Sequence, residues 1–481
     1  MPRDAGFGRQ LLRALARNTP AFKPVLIARA NPYRSRLLDA VTRRSPAFTG
    51  SPTTKNLAGA RIARIKLPGA DLAKADLSGA DLSGADLTRA SLIGADLRDA
   101  DLTGADLSGA LLIRADLRDA RLRRARLNHA DLAHVDASRA DLTGVDLTQA
   151  RLVFARFPQA DLTDARLTRA SAGFGMDLTG AVLRGADLTE ADLGMADLTG
   201  ADLTGARLES AELGGARLSR AVLIGAHLSR ADLEGAVLTG ADLHLVRGER
   251  VNLRGAKLGD ATLRGAALID ATLSAADLTA ADLSEASLER ADLFRADLTE
   301  AVLHEARLVD AGLAEAKLLR AKMERADLTG AGLASANLTS ARLAEARLDR
   351  VNLSGAILSW ADLTDTSLVD VSAGYATVSR ARLFGADLTG AVLTGAALVE
   401  TDLRNALLLQ TDLAETDLRG ARLRGARLLD VTKLADVRWD IHTEWPVEVA
   451  DEIRDRSEEV GTGEFRVVPP AMPPDRDFVR H

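Results

Sequence analysis

Alanine and leucine recur along this chain in a rhythm of five. From about residue 56 to about residue 430 the phrase Ala-Asp-Leu-x-x returns about 75 times, as at Ala85-Asp86-Leu87-Thr88-Arg89, Ala201-Asp202-Leu203-Thr204-Gly205 and Ala386-Asp387-Leu388-Thr389-Gly390. A period of five fits neither the turn of an α-helix nor the alternation of a strand, so the chain must bend once per phrase. Alanine and leucine, two apart, point to the same side of an extended stretch; the aspartate between them and the two residues after leucine point elsewhere. Four phrases closing a square coil would stack residues twenty apart. The backbone would then pair coil to coil in parallel ladders, a solenoid in which each turn buries its core only against its neighbours.

The pattern resembles the pentapeptide-repeat family. That resemblance implies a four-sided, right-handed coil, and the expected fold is an all-β solenoid, a right-handed quadrilateral parallel β-helix with short α-helical caps at both ends. At four phrases per coil and about 4.8 Å per coil, about 19 coils would make a rod of about 90 Å. The expected divisions are a basic N-terminal helical cap at 1–55, the β-helix at 56–433, a C-terminal cap with a helix at 434–462 and a flexible tail at 463–481. Phe7, Leu11, Leu12 and Leu15 have helical spacing, and Ser35 opens a second predicted helix over 35–43. At the other end Trp439 and Trp445 fall just past the last repeat and are assigned to capping, followed by a predicted helix over 447–459. The run Trp439-Asp440-Ile441-His442-Thr443-Glu444-Trp445-Pro446 resembles those closing other pentapeptide-repeat chains.

Three phrases break the rule. The register slips by one residue between Leu167 and Leu178, and a similar phrase without an insertion returns at 371–376. Ala172 and Ala373 take the place of leucine, and Phe174 and Tyr375 are expected to fill the volume left. Gly248 also stands where leucine belongs and marks an expected weak coil or bend.

Composition adds mostly exclusions. The chain has no cysteine, which removes disulfides, thiolate nucleophiles and sulfur metal sites. No apolar run has the length of a membrane span and the N-terminus lacks the apolar stretch of a signal peptide, so a cytoplasmic protein is expected. The net charge of −6 hides a basic segment before Asn56 and an acidic one after the repeats. Solvated charge explains this, and so does head-to-tail association.

Nothing in the repeats reads as a catalytic, cofactor-binding or metal site. Asp76, Asp96, Asp116 and Asp136 form a ladder, with Arg98, Arg118 and Arg139 nearby on the same face. Hydrogen bonds to turn backbone and charge compensation account for these aspartates without a cation. His129 and His134 lie on adjacent faces with no cysteine to complete a zinc site. Arginines at 114–126 are interspersed with aspartate and lack aromatic neighbours, which argues against direct nucleic-acid binding. Outward apolar residues are better pointers. Ile93, Leu111, Ile113, Val153 and Phe154 share one face; Ile269, Val309, Val369, Leu407, Leu409 and Leu429 share another.

The expectation is a non-enzymatic rod acting through protein contacts, as a scaffold or by self-association, with no membrane and no small-molecule substrate. The resemblance implies an alternative, a mimic of duplex DNA that binds type II topoisomerase (gyrase) and protects it from inhibitors. Asp76, Asp96, Asp116 and Asp136 would be its acidic ladder. Their arginine neighbours, and a length beyond that of the family's small resistance proteins, depart from that pattern.

Overall fold

The computed structural model describes residues 56–428 and 431–468, and the chain divides into two compact units, Met1–Asp242 and Leu243–His481. In each unit the five-residue phrase forms one side of a four-sided coil. Asn56 pairs in parallel with Asp76, Arg61 with Asp81, Lys66 with Asp86 and Asp71 with Ser91, so a coil closes every twenty residues. The four faces are numbered first to fourth from these four starting residues.

A complete accounting of backbone donors explains the phrase. In Ala80-Asp81-Leu82-Ser83-Gly84, the Asp81 N–H donates to the Ala60 carbonyl of the preceding coil at 2.9 Å. The Leu82 and Gly84 N–H groups donate to Asp101 and Thr103 of the next coil, both at 2.8 Å, and the Ala80 N–H closes the turn on Leu77 at 3.0 Å. Only the Ser83 N–H has no backbone partner, and it donates to Oδ1 of Asp81 at 3.1 Å. Aspartate stands between alanine and leucine because its carboxylate satisfies the one donor the ladders leave over.

The last residue of the phrase turns the corner in the left-handed region. Glycine meets that need without strain, as at Gly84 (φ 62°), yet Arg89, Phe154 and Trp360 hold the same geometry at 54°, 55° and 65°. Inside, leucine and alanine are sealed: Leu213, Ala216 and Leu218 are all 0% exposed. Each side pairs through one residue before the next bend, so most contacts are isolated bridges rather than strands. The exceptions within the second unit are β1 (Leu407–Leu408) and β2 (Arg427–Leu428), which pair in parallel.

The extra residue after Leu167 is absorbed within a single coil. Arg156 pairs with Asp177 and Ser171 with Asp192, and Asp177 with Asp197 resumes the ordinary spacing. Gly173 and Gly175, at φ 58° and 75°, let the backbone take up the slack. Inside, Ala172 stands where leucine belongs and Met176 where alanine belongs, each 1% exposed. The small and large partners have exchanged places, so Met176 supplies the missing volume and Phe174 sits half-buried on the outside.

Tyr375 corrects the packing expectation more sharply, because its ring is 73% exposed and lies along the corner against Gly395. The volume beside Ala373 is left as a cavity of about 20 Å³, lined by Leu353, Leu368, Val371, Val378 and Leu393 among others. At Gly248 the ladder continues, with its N–H donating to Ala267 at 2.7 Å. Val246 and Val251 replace the usual alanines on either side and are fully buried, which offsets the missing leucine.

The second unit is closed by a small cap that continues the ladders. Arg438 pairs with Asp417 and Glu444 with Arg422. After a 3-10 turn at Val431–Leu434 come β3 (Arg438–Asp440), α1 (Ala450–Asp455), β4 (Ser457–Gly461) and β5 (Glu464–Val467), with β5 in the middle of an antiparallel sheet. The helix expected over 447–459 is thus confined to six residues, and the start of the expected tail at 463 belongs instead to the cap sheet. The first turn of α1 has no capping side chain, and Ser457 ends the helix by donating to the Ile453 carbonyl at 2.7 Å while accepting Trp439 Nε1–H at 2.9 Å. Gly463, at φ 72°, then turns the chain into β5, where Phe465 stacks on Trp439 at 4.4 Å. The helices expected within 1–55, the tail beyond 468 and Leu429 lie outside the described residues.

Candidate interaction faces

Asp76, Asp96, Asp116 and Asp136 stand one above another on the first face and are engaged within the chain. Asp76 accepts Ser78 N–H at 3.1 Å and Ser78 Oγ–H at 2.7 Å; Asp136 is held in the same way by Ser138. Asp96 and Asp116 each take a two-pronged contact from Arg98 and Arg118, at 2.9 and 2.6 Å in both cases. The Arg98 guanidinium hydrogen-bonded to Asp96 holds that carboxyl below the usual carboxylate range. Asp119 is lowered likewise by Arg139. Arg156 also lies 3.8 Å from Asp136, so three of the four rungs carry a cation.

The arginine cluster is also partly neutralised: Arg121 lies 3.7 Å from Asp101, Arg126 lies 3.6 Å from Asp106, and Arg123 pairs with Asp141. His129 and His134 are exposed, and His134 stacks on Phe154 at 5.1 Å. Among the described residues no group of side chains could hold a metal ion, and no helix is long and apolar enough to cross a membrane.

The two apolar groups differ. On the fourth face of the first unit Ile93, Ile113, Ala133 and Val153 occupy one slot in consecutive coils, with Leu111 beside Ile113 and Phe154, 48% exposed, at the adjoining corner. On the third face of the second unit Glu289 comes between Ile269 and Val309, Thr329 and Asp349 between Val309 and Val369, and Thr389 before Leu409, which has Leu407 beside it. The first group is a continuous strip and the second an interrupted one.

Aromatics at or next to the corners of the second unit escape a reading of the sequence. Trp360 is 57% exposed, with the Arg380 guanidinium 4.9 Å from its ring; Phe294 and Phe384 meet Arg295 and Arg404 at 4.8 and 5.8 Å. Trp360 and Arg380 border an open groove that runs to His442 and Glu464 of the cap. Its arginines are met by carboxylates, Arg380 by Glu400 at 2.9 Å and Arg419 by Asp417 and Glu464 at 2.7 and 3.0 Å. Repeat position is the available signal, since the fourth and fifth residues of each phrase point outward at the turn. Trp439 and Trp445 meet edge-on at 6.2 Å within the cap, where Trp439 is 5% exposed.

A four-sided β-helix with engaged carboxylates and a continuous outer strip belongs to the solenoids, proteins whose stacked turns display long outer surfaces. Its particular kind is settled by the repeat: the chain belongs to the family described as Pentapeptide repeats, which matches in overlapping segments from 56–92 to 396–428. The matches stop short of 173–174, 248 and 371–377, the irregular phrases. Family membership brings with it the right-handed β-helix. No curated protein matches.

Three solved structures are similar. HetL, a pentapeptide repeat protein involved in heterocyst differentiation regulation in the cyanobacterium Nostoc, is 35% identical over 48% of this chain and 91% of its own, at a TM-score of 0.23. A pentapeptide repeat protein of the Arabidopsis thaliana thylakoid lumen is 33% identical over 21% and 64%, at 0.16. QnrB1, a plasmid-mediated fluoroquinolone resistance protein, is 22% identical over 44% and 89%, at 0.20.

Proposed function

We propose that this protein is a non-enzymatic cytoplasmic scaffold that works by protein contact through the fourth face of its first unit. The observation that carries this reading is the strip of Ile93, Leu111, Ile113, Val153 and Phe154, apolar side chains in adjoining coils of one face. Isolated apolar residues on a surface need no explanation, but a contiguous patch favours an interface. The test is proximity labelling in the native cell with the wild-type chain and with Ile113→Asp, whose melting temperature is checked first. Proteins labelled by the wild type and lost with the variant support the reading; identical profiles refute it.

The topoisomerase alternative rests on the ladder of Asp76, Asp96, Asp116 and Asp136. Arg98 and Arg118 weaken it, because each places a cation on a rung a DNA mimic would leave negative. Inhibition of DNA supercoiling by the purified protein, abolished by Asp76→Lys with Asp136→Lys, would establish it.

A further inference from the structure

We propose that the fourth face of the first unit pairs with the same face of a second copy, with the two coil axes antiparallel. This rests on the reading of that face as an interface and names its occupant. Along the face the slot after the inward leucine reads Ala73, Ile93, Ile113, Ala133, Val153, Phe174, Gly194, Gly214 and Glu234. A two-fold axis through Val153 sets Ile93 against Gly214, Ile113 against Gly194 and Ala133 against Phe174. Large residues meet small ones at every step, and Val153 meets itself. An isologous contact requires this self-complementarity.

The two glycines are not demanded by the fold. Neither Gly194 nor Gly214 has positive φ. A Cβ at Gly194 would approach no atom closer than 3.4 Å, and one at Gly214 none closer than 3.9 Å. A side chain fits at both, so the depression serves something outside the coil.

Charge selects the same orientation. The first three coils of the face and its rims carry Lys74, Arg89 and Arg114 against Asp71. The last three carry Asp192, Glu212, Asp232 and Glu234 against Arg230, with Glu190 held by Arg169 at 2.8 Å. Antiparallel copies bring the basic end of each to the acidic end of the other; parallel copies would stack like on like. Arg151, which falls at the axis, is already held by Asp131 at 3.1 Å.

The experiment is light scattering and sedimentation equilibrium of the full chain over a concentration series. A dimer is expected, with dissociation strengthened about tenfold or more by Gly194→Ile while the melting temperature is unchanged, since each 1.4 kcal/mol of lost contact is tenfold. Ile113→Gly combined with Gly194→Ile exchanges the large and small partners and should restore it. Lys74→Glu and Glu234→Lys should each weaken the dimer, and the pair together should recover it. A monomer at all concentrations, or a dimer indifferent to Gly194→Ile, overturns the proposal. A monomer that still loses its labelled partners with Ile113→Asp overturns this pairing and leaves the scaffold reading standing.

Discussion

Replacing Ala373 by leucine should stabilise the second unit. The backbone is already in place, since the Ala373 N–H donates to Val392 at 2.7 Å as a leucine would. Around it Leu368, Val378 and Leu393 are 3–4% exposed, where leucines such as Leu213 are 0%, so the cavity of about 20 Å³ loosens a stretch of core. Leucine adds three carbon groups, worth about 2.4 kcal/mol at about 0.8 kcal/mol each. Removing the cavity adds about 0.5 kcal/mol, at about 24 cal/mol per Å³. Ordering the side chain costs about 0.5–1 kcal/mol, and crowding by Val371, a valine in an alanine slot, reduces the sum further. The expected gain is about 1–2 kcal/mol, and Ala373→Leu with Val371→Ala, which relieves the crowding but gives up two buried carbon groups, should gain less, about 0.5–1 kcal/mol. Hydrogen exchange of amides in coils 353–393 is the assay, because a repeat array need not unfold as one transition. If the double variant exchanges faster than wild type, the cavity is not room for leucine and the reasoning fails.

Other outcomes follow from the same accounting. Asp116→Ala removes the acceptor for the Arg118 N–H and should cost about 1 kcal/mol, whereas Asp116→Asn should cost less than half of that, read from denaturant midpoints. Gly395→Ala should lose about 1–2 kcal/mol because φ is 69° and a Cβ would come within 2.7 Å of the Tyr375 ring; adding Tyr375→Ala should recover part, in a double-mutant cycle. Asp96, Asp119 and Asp402 have lowered folded-state values, caused first by hydrogen bonds from Arg98, Arg139 and Arg404. Their stabilisation is fully present above the ordinary carboxylate value, near pH 4, and is lost as pH falls through the lowered values. Circular dichroism should therefore show the coil intact at pH 5 and weakening only below about pH 4; a transition centred above pH 5 would contradict the pairing.

The coil itself is legible because one phrase repeats with little variation, so the period alone sorts its positions: Asp81 and its equivalents face outward, and Leu82 and its equivalents face inward. The exchange of Ala172 and Met176 is not legible, because size in a slot matters only once the slots are known to face each other. Tyr375 defeats the packing expectation for a related reason: two residues after the leucine slot is a corner, and a corner side chain cannot reach the interior. In the cap the repeat gives no guidance, and acidic residues at 451–459 read as helix while cross-strand pairing with Phe465 and Arg466 draws Glu458 and Glu459 into β4. Continuity of the strip at Ile93 and Ile113, and the interruption of the other group by Glu289, can be counted from the period.

The Asp81 carboxylate that receives the Ser83 N–H satisfies, within its own phrase, the one backbone donor the ladders leave over. A coil added or removed whole leaves every remaining backbone donor with an equivalent acceptor, so length can drift in whole-coil steps with little penalty to the fold. What such a step does alter is the alignment of outer residues along a face. Duplication within the gene would thus act as a sliding ruler, keeping the scaffold and resetting which surface residues can meet a partner at once.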